Sequence, residues 1–202
     1  MSPQRSPLVP MPSHDAPPEP PFEQILAEVY QRYPRLAPLA VEVVDSRGLR
    51  PDIQRSLEYY PPDEQMNPKP GKRTIELFNP ALRGETLRSA LAGDMLHGLP
   101  EVDSDFAKLR QHFKRSITQE QSQFDRSVYK QNREDHDTFD SWMERSWVDA
   151  YIRGYLFPDT NDEWRNAGVY TDEQRSILEE MRAHLQKPVS IKQHAMLFPA
   201  KK

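Results

Sequence analysis

The sequence contains no cysteine. That excludes a disulfide framework, a thiolate zinc site and a cysteine nucleophile, and it fits a reducing compartment. Glycine is scarce, at 7 of 202 residues. No glycine-rich phosphate loop and no Gly-x-Ser-x-Gly turn of a serine hydrolase can be found. No stretch approaches the ~20 consecutive apolar residues that cross a bilayer, and residues 1–21 lack the apolar run of a secretory signal. An excess of one charge is missing too: 27 basic against 31 acidic residues leave a formal net charge of -4. Such a balance gives no general attraction to nucleic acid or to an anionic membrane, so neither is expected as a partner. The expected location is cytoplasmic.

Apolar residues are also sparse, at 36% against 29% charged, with a mean hydropathy of -0.86. That share is low for a chain folded from end to end, so part of it is expected to stay extended. What the chain has in abundance is proline. Pro3, Pro7, Pro10, Pro12, Pro17, Pro18, Pro20 and Pro21 crowd its first segment. Proline fixes φ and lacks a donor, so neither helix nor interior strand can run there. Residues 1–21 are expected to form an extended, polyproline-like arm or a disordered tail. Its apolar anchors are Leu8, Val9 and Met11. They are the candidates for contact with a protein partner or with a second copy in a homo-oligomer.

Periodicity resumes after Pro21. Phe22, Ile25, Leu26, Val29, Tyr30 and Tyr33 recur at helical spacing, and Pro34 ends the run. Val41, Val43 and Val44 form a β-branched strand, Leu57 to Tyr60 a second, and Thr74 to Phe78 a third. The remainder is helical. Leu87, Ala90, Leu91, Met95 and Leu96 share one face. Asp103 or Ser104 caps the next helix, which buries Phe106, Leu109, Phe113 and Ile117. Thr118 to Asp137 is a polar stretch with few anchors. A strong helix is expected from Thr138 to about Leu156, with Trp142, Trp147, Tyr151 and Tyr155 in the core rather than in a ligand box. Thr171 with Gln174 is a capping box that opens a last helix. The expected fold class is α+β: a mostly helical single domain over residues 22–186, with a small antiparallel sheet near its N-terminus. Residues 187–202 form a C-terminal tail.

The segment with chemical content runs from Thr74 to Asp103. A strand leads through a short loop into the helix ETLRSALAGDMLHGL. This layout resembles the active-site helix of the zincin metallopeptidases and the strands before it. In that family His-Glu-x-x-His places two imidazoles one turn apart on zinc, with the glutamate as general base. Aligned on that motif, Gly93 stands at the first histidine, Asp94 at the glutamate and His97 at the second histidine. In the metzincin branch the third ligand falls at Asp103, with Pro100 at the intervening glycine. The resemblance covers about Val41 to Asp103, and its motif is degenerate. Glycine has no donor, so one ligand is gone. Aspartate is a methylene shorter than glutamate, a misplacement that can cost ~10²-fold in rate.

The resemblance therefore implies a zincin-like protein that works through binding or assembly, with no catalytic residue assigned and no cofactor. The alternative is a metal-dependent hydrolase whose rearranged zinc site uses Asp94, His97 and Asp103, with Asp94 the weak candidate for a catalytic group. Glu101 or the cluster Glu134, Asp135, His136, Asp137 and Asp140 could complete such a site. A third reading is a plain helical structural component. Against a metal stand plainer roles: Asp94 and His97 pair with each other, His97 sits favourably at a helix C-terminus, and Gly93, which costs ~1 kcal/mol in mid-helix, answers to close packing. The segments GDMLHGLPEVD and YIRGYLFPDTNDEW are similar to proteins of tailed phages and prophages. That similarity implies an accessory or virion-associated role, and a virion location if the chain is phage-encoded.

Overall fold

The computed structural model describes residues 19–49, 56–132, 138–139, 148–157 and 170–189. Helix α1 (Phe22–Arg32) starts directly after Pro21 and buries Ile25, Leu26 and Val29. Pro34 turns the chain into a 3-10 segment (Pro34–Leu39) that buries Leu36 and Leu39. Three short strands follow, β1 (Glu42–Asp45), β2 (Leu57–Tyr60) and β3 (Thr74–Leu77). The helices are then α2 (Gly84–Met95), α3 (Leu99–Val102), α4 (Ser104–Arg115), α5 (Gln119–Asn132), α6 (Val148–Leu156) and α7 (Asp172–Leu185).

The α+β class is as the sequence predicts. The sheet, however, is mixed rather than wholly antiparallel. Its order is β1-β3-β2. β1 runs parallel to β3 with Glu42 beside Thr74, and β2 runs antiparallel to β3 with Tyr60 beside Thr74. Burial follows the order. Thr74, Ile75 and Leu77 are buried, whereas β1 and β2 are largely half-buried. The most buried strand is the central one, and the connection from β1 to β2 passes the place that β3 then fills. The loop between β2 and β3 is fixed by Asn67. Its amide donates to the carbonyls of Pro61 at 2.8 Å and Lys72 at 2.7 Å, and its oxygen accepts from the Lys69 amide at 2.8 Å.

Helix α2 lies at the centre of the core. Leu87, Leu91, Met95 and Leu96 are fully buried, and α2 packs against α1, β2 and α6. α4 presents Phe106 and Phe113, both fully buried, toward α6 and α7. Asp103 caps α4 by accepting from the amides of Asp105 at 3.1 Å and Phe106 at 3.0 Å. The capping box of α7 is formed as expected between Thr171 and Gln174. Residues 119–132 of the polar stretch form the regular helix α5, in keeping with the helical reading of this part of the chain. Of the long helix expected from Thr138, the part over Val148–Leu156 is helical. Trp142 and Trp147 lie outside the described residues, as do Leu8, Val9 and Met11 and the acidic cluster from Glu134 to Asp137 with Asp140.

Candidate functional site

The candidate residues lie where α2 ends. Asp94 is on the last turn of α2 and is 4% exposed. His97 follows in the turn leading to α3, its Nε2 3.9 Å from Asp94 Oδ1. Each is engaged by α6, which presents Asp149 and Arg153 four residues apart and therefore on one face. His97 Nδ1 lies 3.0 Å from Asp149 Oδ2, and an Arg153 guanidinium nitrogen donates to Asp94 Oδ1 at 3.2 Å. A third helix closes the network. Arg110 on α4, itself buried, donates from Nε to Asp149 Oδ1 at 2.6 Å and from its terminal nitrogen to Oδ2 at 3.3 Å. Two carboxylates, two guanidiniums and one imidazole thus join α2, α4 and α6.

Gly93 has the packing reason that its position requires. A β-carbon there would lie 2.7 Å from Cδ and 2.8 Å from Cγ of Arg153. The aliphatic stem of Arg153 crosses α2 in the space that any other side chain would fill. This crossing delivers the guanidinium to Asp94. Gly98 has a similar constraint, since its β-carbon would lie 2.1 Å from the Tyr59 hydroxyl. Burial pushes the Tyr59 phenol up to about 12, so it stays protonated at neutral pH.

The electrostatics of His97 follow from these contacts. Burial opposes its charged form. The hydrogen bond to Asp149 and the negative charges of Asp94 and Asp149 outweigh that penalty, and the pKa is raised above its ordinary value. The imidazole thus lies between two carboxylates, each of which already has an arginine.

Asp103, expected as a third ligand, is directed elsewhere. Besides capping α4, it places Oδ2 2.9 Å from His184 Nε2 on α7 and 3.7 Å from Arg35. Glu101 pairs with Arg73 at 3.1 Å. The structure therefore brings Asp94 and His97 together, without Asp103 or Glu101. Among the described residues no group of three or more carboxylates and histidines could hold a metal ion. The residues present do not fit a catalytic zinc: the first ligand position has no donor, an arginine stem fills its space, and a guanidinium occupies Asp94. A separate shallow cleft of about 400 Å³ between α4 and α7 is lined by Asp105, Lys108, His112, Glu180, His184 and Lys187 among others. Its lining mixes both signs of charge and selects neither an anion nor a cation.

Sequence reasoning missed Asp149, Arg110 and Arg153. A signal existed for Arg110. It falls on the stripe formed by Phe106, Leu109 and Phe113, where a charge must be buried and therefore needs a partner. No comparable signal marks Asp149 and Arg153, whose partner positions are far away in sequence.

Compared with protein-family models, with curated proteins and with solved structures, the chain matches none. No helix among the described residues is long and apolar enough to cross a membrane.

Proposed function

We propose that this chain is a non-catalytic, zincin-like protein that works by binding and assembly, and that its zincin-like helix serves as a structural clamp. One observation carries the reading. The Arg153 stem runs through the space above Gly93, and its guanidinium neutralises Asp94. A divalent cation at Asp94 and His97 would have to expel that guanidinium and sit beside an imidazole with a raised pKa. Removing the paired cation from a carboxylate this buried costs several kcal/mol. The same residues give no general base: Asp94 is ion-paired, and His97 is held by Asp149.

The binding role rests on the arm. Its prolines restrict the free chain, which lowers the entropy lost on docking. Leu8, Val9 and Met11 supply the contact to a partner or a second copy. The phage-like character read in GDMLHGLPEVD and YIRGYLFPDTNDEW, which no matched protein supports, extends the proposal to an accessory or virion-associated assembly, in the cytoplasm or in the virion.

The test has two arms. Casein and a peptide panel are incubated with the protein, with and without added zinc; no cleavage is expected. Cleavage that disappears both with chelator and in His97→Ala contradicts the reading. Native mass spectrometry then compares the full chain with one starting at Phe22; the shorter chain is expected to assemble more weakly.

A further inference from the structure

We propose that Arg47 is a latch that seats the root of the proline-rich arm on the domain and holds the start of α1 in place. Its service to assembly rests on the reading of the arm given above; the latch itself stands on described residues alone, Glu19 to Phe22 on one side and Asp45, Arg47 and Leu82 on the other. The need for it begins in the sequence. Glu19, Pro20 and Pro21 precede α1, and none of them is a short polar residue of the kind that caps a helix. Pro21, in the cap position, makes no side-chain hydrogen bond.

The first turn of α1 therefore hangs on one carbonyl. Pro21 accepts from the amides of Gln24 at 3.0 Å and Ile25 at 3.1 Å. Ile25 is fully buried, so a shift of this turn would disturb the core. Pro20 and Pro21 carry no amide hydrogen, and neither can be tied down through its own nitrogen. The hold must come from the residues on either side of them.

Arg47 grips both. A guanidinium nitrogen donates to Glu19 at 2.7 Å, and the guanidinium carbon lies 5.5 Å from the centre of the Phe22 ring. The seat has its own supports. Asp45 accepts from the Arg47 amide at 3.1 Å and from two guanidinium nitrogens at 2.8 Å each. The Leu82 carbonyl accepts from the third nitrogen at 3.0 Å. The end of β1 and the loop before α2 thus orient the guanidinium, and Glu19 docks on a seat already formed. The side chains of Arg47 and Glu19 are 12% and 17% exposed, so water screens this pair less than an exposed one. An arm seated in this way leaves the domain from one fixed place, which lowers the entropy lost when a partner captures it.

The experiment compares the full-length chain with its Glu19→Ala variant, which empties the seat without touching Arg47 or its supports. Amide hydrogen exchange is read by NMR at Gln24 and Ile25, with the buried Leu91 of α2 as the reference. The two α1 amides should exchange about tenfold faster in the variant, and Leu91 should not change. Native mass spectrometry across a concentration series measures self-association, which should weaken about threefold. Exchange at Gln24 and Ile25 within about twofold of the parent overturns the latch. Exchange that quickens by the same factor at Leu91 reports general destabilisation and overturns it too. Faster exchange confined to α1, with association unchanged, overturns the service to assembly and leaves the latch. A parent that is monomeric at every concentration overturns the reading of the arm as an element of self-assembly, and the exchange result then decides the latch alone.

Discussion

Replacing Gly93 with alanine separates the clamp from ordinary helix behaviour. On propensity alone, glycine to alanine inside a helix gains ~1 kcal/mol. Here the new β-carbon would meet Arg153 Cδ at 2.7 Å and Cγ at 2.8 Å. Those atoms are the middle of the stem, and the far end is fixed on Asp94. The stem cannot swing aside without pulling the guanidinium off a carboxylate that is 4% exposed. Overpacking of this kind costs ~1–3 kcal/mol, and loosening a buried ion pair adds to it. The expected net result is a loss of ~1–2 kcal/mol, or a fall of ~2–8 °C in Tm for a domain of this size. Gly154→Ala is the control. It lies in α6, and its β-carbon would meet only the Tyr170 hydroxyl, at 3.6 Å, an ordinary contact. That change should stabilise by ~0.5–1 kcal/mol. In an Arg153→Ala background the clashing atoms are gone, and Gly93→Ala should become stabilising by up to ~1 kcal/mol. Urea unfolding of the four variants with their parent measures all of this. A stabilising Gly93→Ala in the parent, or an unchanged cost in the Arg153→Ala background, refutes the reasoning.

Three further outcomes are expected. His97 has a folded pKa above its ordinary 6.5, so its contribution to stability is complete below about pH 6.5 and is lost as pH rises through the folded value; NMR titration should find the raised value, and His97→Gln should flatten the pH dependence of unfolding in that window. Asp149→Asn removes the carboxylate charge that the buried Arg110 and His97 share and should cost about 3 kcal/mol in urea unfolding, whereas a cost under ~1 kcal/mol would show that the network contributes little. Thr171→Ala removes one half of the α7 capping box and should cost ~1 kcal/mol, read from the same unfolding curves.

Much of the fold was legible because short-range signals agree with it. The strand Leu57–Tyr60, the Asp103 cap and the Thr171 box all stand where residue type alone places them. The sheet's mixed pairing was not legible. Strand polarity depends on which strand takes the centre, and that follows from burial over the whole domain rather than from any one strand. Helix α5 was legible only through the general helical reading of the remainder, because its mostly polar sequence carries few apolar anchors. For the candidate site, the sequence gives Asp94 and His97 their shared turn and gives Gly93 a reason to be packed. The packing partner comes from α6, 60 residues later, and no local pattern announces it. Asp103 carried two readings in the sequence, a helix cap and a metal ligand, and its contacts with the α4 amides and His184 match the cap.

The most direct test of the central claim is the zinc content of the full chain, purified without chelator and measured by elemental mass spectrometry. With Arg153 seated on Asp94, far less than one zinc per chain is expected, and added zinc should not raise the Tm. One zinc per chain, lost in His97→Ala and retained in Arg153→Ala, would contradict the account: a metal would then hold the place assigned to the guanidinium.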